Sequence, residues 1–118
     1  MHVGRTVLIV DDQPEFRLLA RHLLESEGFV IVGEAGDARA AVDAARDLRP
    51  DVVLLDVRLP DGSGVDVART IRAWAAPPSV VLTSTADYAQ AAQDCGAVGF
   101  IFKSRLSGAE FRSAVGAV

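Results

Sequence analysis

The sequence predicts an α/β domain of the doubly wound (βα)5 kind, a five-stranded parallel sheet with helices on both faces. Three observations carry this. Short runs rich in β-branched residues alternate with longer segments of helical period along all 118 residues. The runs are nearly unbroken in apolar residues, the pattern of parallel strands covered on both faces. The connections are too short for a second domain, and at about 150 residues per domain the chain is one unit, residues 1–118.

The first strand is Thr6-Val7-Leu8-Ile9-Val10. Pro14 suits the first turn of the helix that follows, Gly28 its stop, and Phe16, Leu19, Ala20 and Leu23 its apolar face. The second strand is Val30-Ile31-Val32-Gly33, followed by a helix with Ala41, Ala44, Ala45 and Leu48 inward. Val52-Val53-Leu54-Leu55 is the third strand. A turn around Pro60, Gly62 and Gly64 leads into a helix carrying Val67, Ile71 and Trp74, which ends before Pro77-Pro78. Val80-Val81-Leu82 is the fourth strand, and Tyr88, Ala91, Ala92 and Cys95 mark the fourth helix. Val98-Gly99-Phe100-Ile101-Phe102 is the fifth strand. Ser107-Gly108-Ala109-Glu110 reads as a capping box opening a last helix with Phe111, Ala114, Val115 and Val118 inward. Right-handed crossovers between parallel strands then distribute the helices over both faces.

Composition narrows the function. Half the residues are hydrophobic and 24% charged, enough for a core, and 12 basic against 16 acidic residues leave a net charge of −4. Such a surface does not suit direct nucleic-acid binding or an anionic membrane. The lone Cys95 cannot form an internal disulfide, and His2 and His22 have no partners at metal-ligand spacing. The N-terminus carries no signal-type apolar segment and no run approaches a membrane span, so the expected location is cytoplasmic.

In a parallel sheet of this kind functional groups gather where strands end and helices begin. The polar residues at those ends are Asp11-Asp12, Asp56, Thr83-Ser84 and Lys103. Each alone has a plain reading as a helix cap, a turn residue, a strand-end hydroxyl or a surface lysine. Together they put three carboxylates, two hydroxyls and one ammonium on one rim. Converging carboxylates repel, so either one of them holds a proton or a cation compensates them, and Mg2+ with its preference for oxygen ligands and phosphate is the simpler solution. Three carboxylates, one lysine and one Mg2+ sum to zero.

The runs ending in Asp11-Asp12, the stretch from Asp51 through Asp56 to Pro60-Asp61-Gly62-Ser63-Gly64, then Val81-Leu82-Thr83-Ser84, then Gly96 to Lys103 resemble the receiver domain of two-component response regulators. The resemblance covers essentially the whole chain and implies the CheY-like, flavodoxin-like form of the fold. It implies that Asp56 is the phosphoacceptor, taking a phosphoryl group from a sensor histidine kinase or phosphotransfer protein. It implies a Mg2+ held by Asp12, Asp56 and the backbone carbonyl of Arg58, with Asp11 acting largely through water. By the same likeness Lys103 pairs with a phosphoryl oxygen and Thr83 carries the switch hydroxyl. Ser84 is small enough to leave the approach open, and Phe100 turns inward as the switch responds. Arg58 and Thr85 occupy the positions that tune dephosphorylation. The domain is then a signalling module rather than an enzyme, assisting its own phosphorylation and its reversal to control an output partner or domain.

Two departures from the family stand out. Ser104 follows Lys103 where many members carry proline. The span from Thr83 to Lys103 is slightly short, which touches the first turn of the fourth helix and therefore the output surface. That surface, the fourth helix, fifth strand and fifth helix, is also where a homodimer would form. A phosphatase that turns over an aspartyl phosphate is the competing enzyme reading, but such enzymes carry a second Asp two residues after the nucleophile, where this chain has Arg58.

Overall fold

A computed structural model describes residues 4–116, so the readings placed on His2 and Val118 lie outside the described residues. Strands β1 (Thr6–Val10), β2 (Val30–Ala35), β3 (Val52–Asp56), β6 (Ser79–Ser84) and β7 (Gly99–Phe102) form one sheet in the order β2-β1-β3-β6-β7. All its pairings are parallel. A two-residue antiparallel ladder, β4 (Arg58–Leu59) with β5 (Gly62–Ser63), follows β3 and was not expected from the sequence. The helices are α1 (Pro14–Glu25), α2 (Ala38–Leu48), α3 (Gly64–Arg72), α4 (Ala89–Asp94) and α5 (Gly108–Val115). A 3-10 turn spans Lys103–Arg105.

Alternation along the strands divides the core into two layers. Leu8, Val10, Val53, Leu55 and Leu82 meet Ala41 and Ala45 of α2, Val67 and Ile71 of α3 and Ala92 of α4. On the other face Val7, Ile9, Val52, Leu54, Val81 and Ile101 meet Ala20 and Leu24 of α1 and Phe111 of α5. Unbroken apolar runs are therefore needed in β1, β3 and β6. The edge strand β2 is partly open to solvent, and Val30 is exposed.

Local chemistry fixes the helix ends. Gly28, at φ 95°, closes α1: its N–H donates to the Glu25 carbonyl and that of Phe29 to the Leu24 carbonyl, the paired bonds of a Schellman motif. Ser107 accepts from the Glu110 N–H at the start of α5, supplying the capping half of the expected box. Asp37 accepts from the Ala40 N–H and caps α2, while Asp61 reaches over from the turn between β4 and β5 to accept from the Ala38 and Arg39 N–H groups.

The structure corrects the helix faces in places. Leu19, expected inward, is 50% exposed, and Leu24 takes its place as a fully buried residue. Phe16, Ala20, Leu23 and Leu24 form the inward stripe, and Leu19 falls outside that arc. Leu48 is also exposed, at the last position of α2. The third helix ends at Arg72, and Trp74 lies just past it with its N–H bonded to the Ile71 carbonyl, closing that end. The fourth helix is only six residues long, as the short span before Lys103 suggested, and Val98 lies exposed before β7 begins.

Candidate functional site

Chain order reverses between β1 and β3: β1 connects outward to β2, and the chain then returns to the other side of β1. Ligands bind at such a switch point, beyond the carboxyl ends of the strands. β1 runs directly into Asp11 and β3 ends in Asp56, so both carboxylates stand at that point. Oxygens of Asp11, Asp12 and Asp56 lie within 4.8 Å of one another. Asp11 and Asp56 are buried, whereas Asp12 faces out.

Lys103, immediately after β7, brings its ammonium back across the sheet edge. Nζ is 2.7 Å from Asp11 Oδ2 and hydrogen-bonds Asp56 Oδ2 at 3.2 Å. The shorter contact, to Asp11, makes that carboxylate the closer ion-pair partner of the lysine. The Gln13 N–H donates to Asp11 Oδ1 and the Arg58 N–H to Asp56 Oδ1. Burial pushes the Asp56 carboxyl above its ordinary pKa, and the neighbouring Asp11 charge adds to this; Lys103 and the Arg58 N–H work against both. Burial disfavours the Lys103 ammonium, but Asp11 and Asp56 outweigh it and raise its pKa.

A cavity of about 180 Å³ opens over these groups, lined by Asp12, Gln13, Asp56, Arg58, Ser84, Thr85 and Lys103. Oxygens of three carboxylates converge here, and their negative charge exceeds what one lysine balances; this donor set fits a small divalent cation such as Mg2+. Gly64 supports the floor from behind. It opens α3 against the backbone of Asp56, where any Cβ would strike the Asp56 carbonyl.

Thr83 pairs in register with Asp56 and lies on the same face of the sheet. It is fully buried, and among the described residues its hydroxyl has no hydrogen-bond partner. Ser84, buried at the cavity wall, accepts from the Ala86 N–H. Phe100 pairs with Leu82 and so faces the opposite side of the sheet from Thr83, half-buried and edge-on to Phe102 at 5.1 Å. It is not among the residues lining the cavity.

Sequence reasoning missed three contributors. Gln13 lines the cavity. Arg17 donates from Nη1 to the Asp11 carbonyl at 2.6 Å, and its Nε pairs with Glu34. Phe16, read only as core, lies with its ring 4.8 Å from Lys103 Nζ. The one available signal was Arg17 itself, a cation near a helix N-terminus, where the dipole disfavours it unless another group holds it.

The profile of the response regulator receiver domain matches residues 7–115. This chain belongs to that family. Transcriptional regulatory protein PdtaR of Mycobacterium tuberculosis is 41% identical over 103 residues, covering 86% of this chain and 50% of that protein. DNA-binding response regulator MtrA of Mycolicibacterium smegmatis is 43% identical over 81 residues, 69% of this chain and 35% of its own. The signal receiver domain of NarL from Mycobacterium tuberculosis superposes with a TM-score of 0.87 at 35% identity, covering 97% of this chain and 94% of that one. This receiver domain thus spans about half the length of the curated relatives it matches, or less. Among its described residues no helix is long and apolar enough to cross a membrane.

Proposed function

We propose that Asp56 is the phosphoacceptor of this receiver domain, that it is charged from a phosphohistidine, and that the change at the rim is passed to an output partner. The observation that carries this is the ammonium of Lys103 set between Asp11 and Asp56 at the edge of a polar cavity. An Asp56 carboxylate oxygen attacks phosphorus, an O–P bond forms as the P–N bond breaks, and the imidazole leaves with the bonding pair. Asp12, Asp56 and the Arg58 carbonyl would hold Mg2+, with Asp11 behind them. Bound there, Mg2+ supplies positive charge to the phosphoryl oxygens.

The protein groups do the rest. Lys103 is already in place and moves from carboxylate to phosphoryl oxygen as a point charge. The Arg58 N–H, now on Asp56 Oδ1, remains directed at the same spot. Thr83 supplies the switch: a buried hydroxyl without a partner gains one when a phosphoryl oxygen arrives beside it. That draws the loop after β6 toward the site, and Phe100 responds on the far face. Arg58 and Thr85, exposed at the cavity mouth, set how readily water reaches the phosphoryl group.

On this reading the module comprises residues 1–118 and works in the cytoplasm, where a sensor histidine kinase or phosphotransfer protein supplies the phosphoryl group. The relatives named as transcriptional regulators support an output in transcription carried by a segment other than this domain. A dimer through α4, β7 and α5 would be one route to it. The test is phosphotransfer from a phosphorylated histidine kinase domain: Asp56→Asn should accept nothing, and wild-type protein that stays unlabelled in Mg2+ would refute the assignment.

A further inference from the structure

The Lys103 ammonium has a third neighbour besides the two carboxylates. It stands over the face of Phe16, 4.8 Å from the ring centroid. Phe16 lies in the first turn of α1, with its N–H on the Gln13 carbonyl, and packs against the Ala20 and Leu24 layer. Arg17, the next residue, ties that turn to the Asp11 carbonyl and to Glu34 on β2. The ring is therefore held at a fixed place relative to Asp11.

A cation over an aromatic face is attracted by the ring quadrupole without a directional hydrogen bond. Lysine is a point charge on a flexible stem, and its two carboxylate partners are the groups a divalent cation would also claim. Once they are claimed, the ring remains as the attraction that keeps the ammonium over the cavity and free to meet a phosphoryl oxygen. We infer that Phe16 is a positioning residue of this site, holding Lys103 by cation–π attraction in readiness for the phosphoryl group. The inference rests on the proposed role of Lys103.

The test grades the ring charge at nearly constant shape. Phe16 is replaced by mono-, di- and trifluorophenylalanine, and the rate of phosphorylation by acetyl phosphate is measured in saturating Mg2+. The rate should fall stepwise, by roughly three- to ten-fold across the series, while the melting temperature stays constant. Phe16→Tyr should retain the wild-type rate and Phe16→Leu should lose it. A rate that is flat across the fluorinated series overturns the inference. The contact has its own readout: the Lys103 ε-methylene protons should be displaced upfield by the ring current relative to Phe16→Leu. Absence of that displacement overturns the inference even if phosphorylation is normal. Displacement without any phosphorylation of the wild type overturns the phosphoacceptor assignment and, with it, the positioning role.

Discussion

Thr83 stands beside Asp56 in the sheet, paired with it in register across β6 and β3, with its hydroxyl fully buried and without a hydrogen-bond partner. An unmade hydrogen bond of this kind costs about 1–3 kcal/mol. Thr83→Val removes the hydroxyl at nearly the same volume, so the unphosphorylated domain should become more stable, by about 1 kcal/mol in urea unfolding. The variant should still accept a phosphoryl group but lose the accompanying backbone shift changes at residues 84–86. A destabilised variant would show that the hydroxyl is satisfied.

The charge balance at the rim predicts a second outcome. Lys103→Met leaves Asp11 and Asp56 facing each other without a cation. Stability at pH 7 without metal should drop by about 1–3 kcal/mol, less than for a wholly buried pair because the cavity admits water. Mg2+ at ten times its dissociation constant stabilises the wild type by about 1.4 kcal/mol, and the gain should be retained in Lys103→Met and lost in Asp56→Asn. Calorimetric titration is the suitable readout. Trp74 is a poor reporter, since it sits beside Asp51 and Pro78 at the opposite edge of the sheet.

Glu34 gives the pH dependence. Its carboxyl is held below the ordinary value, first by the Arg21 hydrogen bond and further by Arg17, with partial burial opposing. A depressed folded pKa means stability that is present above the unfolded value of about 4.3 and is lost as the pH falls through the folded one. The pair network is largely solvated, so it contributes at most about 1 kcal/mol. The stability difference between wild type and Glu34→Gln should be present at pH 7 and vanish in acid, as followed by urea unfolding at stepped pH. A difference that grows in acid would contradict it.

The two leucine registers of α1 are separable by mutation. Leu24→Ala should cost about 2–5 kcal/mol and Leu19→Ala no more than about 0.5, since the first is fully buried and the second half exposed. Equal costs would mean that α1 is rotated from the orientation described.

That contrast also shows what the sequence disclosed. The strands were readable because β-branched runs at Val7–Val10, Val52–Leu55 and Val80–Leu82 admit only one burial pattern. The polar strand ends were readable because Asp11, Asp56 and Thr83 stop those runs, and Lys103 stops the run ending at Phe102, at equivalent depths. The phase of α1 was not, because Leu18, Leu19, Leu23 and Leu24 offer overlapping stripes, and only packing against the rest of the core chooses between them. The same packing brings Phe16 under Lys103 and Arg17 to the Asp11 carbonyl, contacts 87 and 6 residues apart in sequence that no local period encodes. The β4 and β5 ladder escaped notice because its two residues per strand carry no alternation, and its tie to α2 depends on the single side chain of Asp61.

The central claim is that the rim makes Asp56 a phosphoryl acceptor. Its most direct measurement is to treat the domain with acetyl phosphate and Mg2+, reduce it with borohydride, and map the modified residue by peptide mass spectrometry. One phosphoryl group per chain and a single reduced site, at Asp56, are expected, with none when Mg2+ is chelated. Uptake at another residue, or equal uptake by Asp56→Asn, would contradict it.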